Sequence, residues 1–148
     1  MARAWGTNLG LQNPSLLNLA TDASCTAGAA TTVLQYGSSP LLFTYAAGGF
    51  FLQCHATLAL ILGATPPTAL TITLNLATAG LQDTYTVPPG LLTASAELLI
   101  PVTLFSANSG SIWYPTGDNP QIQVTPTGQA VTCKAVGTRS TVVLQQGV

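Results

Sequence analysis

Charge is what this sequence has least of. Lys, Arg, Asp and Glu make up 5% of its 148 residues, where roughly 25% is ordinary for a soluble domain. The carriers are Arg3, Asp22, Asp83, Glu97, Asp118, Lys134 and Arg139, with a formal net charge of −1. Neutralising phosphates takes a cluster of Lys and Arg, so neither nucleic acid nor an anionic membrane surface is expected as a partner. Four scattered carboxylates also lack the close acid pair of glycoside hydrolysis.

Long apolar runs are missing too. A spanning helix needs about 20 consecutive apolar residues. The best run, Leu58 to Ala64, is short and stands beside Pro66-Pro67. Gly6 to Ala20 is broken by Asn8, Gln12, Asn13, Pro14 and Asn18, so no apolar core of a secretory signal is expected. Ala23-Ser24-Cys25 is a poor lipoprotein cleavage site, because Asp22 stands where apolar residues should precede it.

Groups for chemistry are equally few. The single histidine, His55, follows Cys54. On a strand the two point to opposite faces and cannot form a dyad; a hydrogen-bonded surface or interface histidine is the plain account of His55. There is no Gly-x-Ser-x-Gly elbow and no phosphate-cradling loop ending in Gly-Lys-Ser/Thr. Three cysteines, Cys25, Cys54 and Cys133, are too few and too far apart for a disulfide framework or a Cys-x-x-Cys metal clip. Cys54 and Cys133 share faces with Leu52 and Val131. They read as buried free thiols acting as small hydrophobes, or as a bridge between sheets. Asp118-Asn119 offers oxygens to a calcium ion, but one carboxylate binds weakly and a turn explains the pair. No catalytic residue, metal site or cofactor is expected, and the chain reads as a non-enzyme.

What is present is alternation. Leu52, Cys54, Ala56, Leu58, Leu60 and Leu62 alternate with Gln53, His55 and Thr57, and Leu70, Ile72, Leu74 and Leu76 alternate with Thr71, Thr73 and Asn75. This is the period-two signature of strands with one buried face. Strands are expected at 31–36, 41–45, 50–62, 70–76, 84–87, 97–105, 111–114, 121–125, 131–136 and 141–145. Pro101 marks its strand as an edge or a bulge. Gly37-Ser38-Ser39-Pro40, Pro66-Pro67, Pro88-Pro89-Gly90, Gly117-Asp118-Asn119-Pro120 and Pro126-Thr127-Gly128 read as turns. The expected fold is all-β: an antiparallel β-sandwich or jelly roll of about 8–10 strands spanning residues 31–148.

Residues 1–30 do not alternate, and only a weak helical pattern falls at 14–20. The segment carries Trp5, Leu9, Leu11, Leu16, Leu17 and Leu19 among Asn, Ala, Gly and Thr. It reads as an irregular N-terminal arm ordered by lying on another surface, or as a strand and loop packed on its own sandwich. Trp113-Tyr114, between Asn-Ser-Gly and Pro-Thr-Gly, suits core or intersubunit packing, with stacking on a sugar ring as the alternative. The candidate interface residues are Trp5, Leu9, Leu11, Leu16, Leu17, Trp113 and Tyr114.

Size, scarce charge, Thr/Ala/Gly/Pro-rich strands and segments such as Tyr85-Thr86-Val87-Pro88-Pro89-Gly90 and Gly128-Gln129-Ala130-Val131-Thr132 give the chain a resemblance. It resembles the small β-sandwich virion proteins of tailed bacteriophages, the capsid decoration (cement) and head-fibre proteins. The resemblance implies a homotrimer that clamps the major capsid protein or another virion protein on the outer surface of the capsid, with help from an N-terminal arm. The alternatives are a jelly-roll capsid, tail or fibre subunit, or an extracellular adhesin or carbohydrate-binding module. One physical expectation stands apart from the resemblance. Sheet edges need charge, interruption or cover, and a chain this poor in charge is expected to rely on Pro, Gly and neighbouring subunits.

Overall fold

The computed structural model describes residues 16–18, 22–36, 50–76, 80–105 and 120–144. Nine strands follow one another: β1 (Leu16–Asn18), β2 (Ala23–Cys25), β3 (Thr31–Tyr36), β4 (Phe50–Leu62), β5 (Ala69–Leu76), β6 (Gly80–Thr86), β7 (Glu97–Phe105), β8 (Pro120–Thr127) and β9 (Val131–Leu144). They form two antiparallel sheets, β2-β9-β4-β7 and β1-β3-β8-β5-β6. The expected strands at 41–45 and 111–114 lie outside the described residues.

The pairing follows a single rule. β5 pairs with β6, β4 with β7, β3 with β8 and β2 with β9. The chain is thus folded in half between β5 and β6 into one long two-stranded ribbon. Successive stretches of that ribbon fall alternately in the two sheets, which rolls it around the core. β4·β9 and β5·β8 close the remaining ladders. This is a jelly roll, with β1 added beside β3.

Alternation explains the core. β5 is buried at every second residue, and Leu70, Ile72, Leu74 and Leu76 are fully covered. Leu58, Leu60 and Leu104 meet them from the other sheet's inner face, as two packed sheets require. The cluster also takes Ile122 and Val124 of β8 and Val131 and Cys133 of β9. Gly128, at φ +88°, makes the turn between β8 and β9, a left-handed conformation that glycine adopts without steric cost.

Three sequence expectations are corrected. The strands expected at 131–136 and 141–145 are one strand of 14 residues, because β9 lies along the whole of β4. Thr57 stands opposite Gly137 and Leu58 opposite Ala135, so Val136 is an extra residue in a bulge. Before it positions 131 and 133 match the inward positions of β4, and after it 138, 140, 142 and 144 do. That parity switch is what breaks the alternation in the sequence. Leu16–Asn18, where a weak helical pattern was expected, is a strand. Pro126 lies inside β8, opposite Leu70, rather than in a turn. β1 and β2 belong to the 1–30 segment, and they pair with β3 and β9 of this same chain.

Candidate assembly surface

The two outer faces of the sandwich differ in chemistry. On the five-stranded sheet, β5 presents Thr71, Thr73 and Asn75 opposite Thr125, Gln123 and Gln121 of β8. Their groups satisfy one another. Thr32 Oγ1 donates to Gln121 Oε1 at 3.2 Å, and Gln123 Nε2 donates to the same oxygen at 3.2 Å and to Thr32 Oγ1 at 3.3 Å. Thr71 Oγ1 donates to the Thr125 carbonyl at 3.4 Å. A face of mutually bonded amides and hydroxyls replaces the usual charged surface.

The outer face of the four-stranded sheet is more apolar. In β7, Leu98, Ile100, Val102 and Leu104 point inward, so Glu97, Leu99, Pro101, Thr103 and Phe105 point out. Register sets Leu99 beside Ala59 and Lys134, and Glu97 beside Ile61 and Thr132. Leu99 is 65% exposed and Ile61 47%. His55 lies on this face, half-buried, with Nδ1 2.9 Å from Thr103 Oγ1. Cys54, one residue earlier, is fully buried. The two side chains thus stand on opposite sides of the sheet, and no His–Cys pair exists.

Among the described residues, three of the four sheet edges carry guards of their own. The Phe105 N–H points away from β4 and donates to Asp83 Oδ2 at 2.9 Å, while Asp83 Oδ1 accepts the Thr84 N–H at 2.8 Å. In an antiparallel ladder the N–H groups at 97, 99, 101 and 103 point the same outward way as that of Phe105. Pro101 falls at one of these positions and carries no N–H, so it costs no ladder bond. The β1 and β2 edges are only three residues long each, which is itself protective. Short strands, one proline and one carboxylate thus each guard part of the β1, β2 and β7 edges.

The sequence-derived interface residues fall mostly outside the described residues: Trp5, Leu9, Leu11, Trp113 and Tyr114 all do. Leu16 and Leu17 lie in β1, whose backbone pairs with Gln35 and Tyr36 of β3; their side chains are outside the described part. Sequence reasoning passed over Leu99 and Ile61. Their signal is visible in Leu98-Leu99-Ile100 and Leu60-Ile61-Leu62, where apolar residues occupy both parities of a strand. Among the described residues no cluster of three His, Cys, Asp or Glu side chains is placed to hold a metal ion. No helix among them is long and apolar enough to cross a membrane.

Cys54 and Cys133 lie in the same sheet, not in facing ones. Cys133 stands opposite Leu60 of β4, six residues from Cys54. At ~3.3 Å per residue they are about 20 Å apart, and the bridge between sheets is excluded.

No family model matches the sequence, and no curated protein matches it. Among solved structures, the chain is similar to the arabinose-bound MgGH51 α-L-arabinofuranosidase, with a TM-score of 0.43 and 10% identity. The match covers 88% of this chain and 24% of that one, so the chain spans about a quarter of that enzyme's length. A likeness at this level carries no argument about activity.

Proposed function

We propose that this chain is a non-enzymatic structural protein that works by assembly: a capsid decoration (cement) protein that joins copies of itself and clamps a virion shell from outside. The observation that carries the reading is the both-parity apolar pattern of β7 and the end of β4. A strand with solvent on one face alternates, whereas one covered on both faces reads as a continuous apolar run. The described residues cover only one face of β7 and leave Leu99 and Ile61 exposed, and on this reading a second protein covers them. Scarce charge supports the same reading, since little repulsion opposes association. The trimeric state and the capsid partner come from the resemblance described above.

A second reading draws on the jelly-roll topology, which viral shell subunits also use. In it the chain builds the shell itself. Light scattering and negative-stain micrographs of the purified protein test both. Discrete particles near three times the 15.1 kDa protomer mass are expected for the decoration protein, and closed shells for the alternative. Leu99→Glu should shift the oligomer toward monomer while leaving the circular dichroism spectrum unchanged. A wild-type protein that stays monomeric at high concentration defeats both readings.

A further inference from the structure

All three cysteines are buried and none is in a disulfide, but two of them are neighbours. β2 runs antiparallel to β9 with Ala23 opposite Cys133 and Cys25 opposite Val131. Cys25 and Cys133 therefore occupy diagonal positions on adjacent strands, and both are fully buried on the core side. Each thiol is the largest influence on the other's ionisation, and the Cys25 S–H donates to the Ala23 carbonyl at 3.8 Å. Cys54 is remote from this pair, as shown above.

We infer that Cys25 and Cys133 are a site of disulfide formation, and that the bond staples the short edge strand β2 to β9 when the protein enters an oxidising environment. The oxidant class is a low-molecular-weight disulfide. The Cys25 thiolate attacks one sulfur of that disulfide and breaks its S–S bond. The released thiolate takes up the proton that Cys25 gave up. Cys133 then attacks the Cys25 sulfur of the mixed disulfide and passes its own proton to the second leaving thiolate. Two protein thiols lose two electrons in total, and one external disulfide becomes two thiols.

The two thiols are unequal in the way this order requires. A hydrogen bond from Cys133, aided by one from Thr31, favours the Cys25 thiolate against the opposing effect of burial. Cys133 is held protonated by that same bond and by burial. Cys25 also sits on the three-residue edge strand, so it meets the oxidant first and Cys133 resolves the mixed disulfide.

Access and geometry both depend on β2. Diagonal cross-strand positions lie roughly 7–8 Å apart at Cα, while disulfides prefer about 5.5–6 Å. Closing the bond must draw the strands together. β2 is the element able to move, because it has three residues and pairs on one side only. An edge that short also opens locally at low cost, which exposes both sulfurs to the oxidant. The staple would then link positions near opposite ends of the chain, the arrangement in which a cross-link most restricts the unfolded state.

The test uses the full-length protein, held folded in oxidised glutathione and then denatured and alkylated. One alkylated cysteine, a mass lower by two hydrogens, and a peptide joining Cys25 to Cys133 are expected. The unfolding midpoint should rise by about 5–15 °C, and fall back on adding reductant. Cys54→Ser should show the same rise and Cys25→Ser none. Three alkylated thiols after prolonged oxidation, a glutathione adduct that never resolves, or a bridge through Cys54 each overturns the inference. The wild-type mass measurement decides even where a variant fails to fold.

Discussion

Asp83 accepts hydrogen bonds from backbone N–H groups in two different sheets, Thr84 of β6 and Phe105 of β7. It joins the edge of one sheet to the edge of the other and removes an outward donor from β7. Bonds to a charged acceptor are the stronger kind, although water competes at this partly exposed site. Asp83→Ala should therefore lower stability by about 1–2 kcal/mol, read as a lower urea midpoint at unchanged slope. Asp83→Asn should fall between, because its amide presents a donor to one of the two N–H groups. An Asp83→Ala protein with wild-type stability would mean that the two bonds contribute nothing net. Gln82, next to it, illustrates a second device. Leu74 faces Asp83 and Asn75 faces Leu81, so Gln82 is the extra residue of a bulge. It turns inward, where its Nε2 donates to the Gly80 carbonyl at 3.2 Å, and leaves Leu81 exposed.

At the scale of elements, β7 is where defence of an edge and availability of a face meet. Its outward backbone is interrupted at Pro101, while its outer side chains include Leu99. The edge resists strand addition and the face invites packing. Pro101→Thr restores an outward N–H without altering any inward residue. Its fold should survive with a loss of about 0.4–1 kcal/mol, from the freer unfolded chain. Aggregation on prolonged incubation, followed by turbidity, should be faster than in the wild type. Equal rates would show that Pro101 is not an edge guard. β7 also shows how far the sequence could be read. The bounds of β3, β4 and β7 match the runs read from the sequence, most plainly in β4, where a strand over a core writes its geometry into every second residue, and the edge role of Pro101 follows from its missing N–H. β9 resists such reading because the Val136 bulge shifts its parity midway. β1 and β2 resist it because three residues hold no period. The thiol pair was hidden for the same reason: only the β2·β9 register brings Cys25 beside Cys133. The apolar outer face was legible in Leu98-Leu99-Ile100, but a run of that kind marks two covered faces only once its strand is known to cover one.

For the whole molecule, scarce charge fixes what kind of force can hold an assembly. With seven formal charges in 148 residues, the proposed association between copies has few ion pairs to draw on. On that proposal it comes from apolar burial and from the amide and hydroxyl faces. Those contributions differ in their response to salt. Screening shortens the Debye length from about 30 Å at 0.01 M to about 3 Å at 1 M and weakens exposed charge pairs, but it leaves apolar burial intact. Sedimentation or light scattering across that salt range should therefore show an unchanged oligomer. Calorimetric dilution should give the negative heat-capacity change of association that buried apolar surface produces. An oligomer that dissociates steeply with added salt would place its contacts on the few charged residues instead, and would remove Leu99 and Ile61 from the centre of the interface.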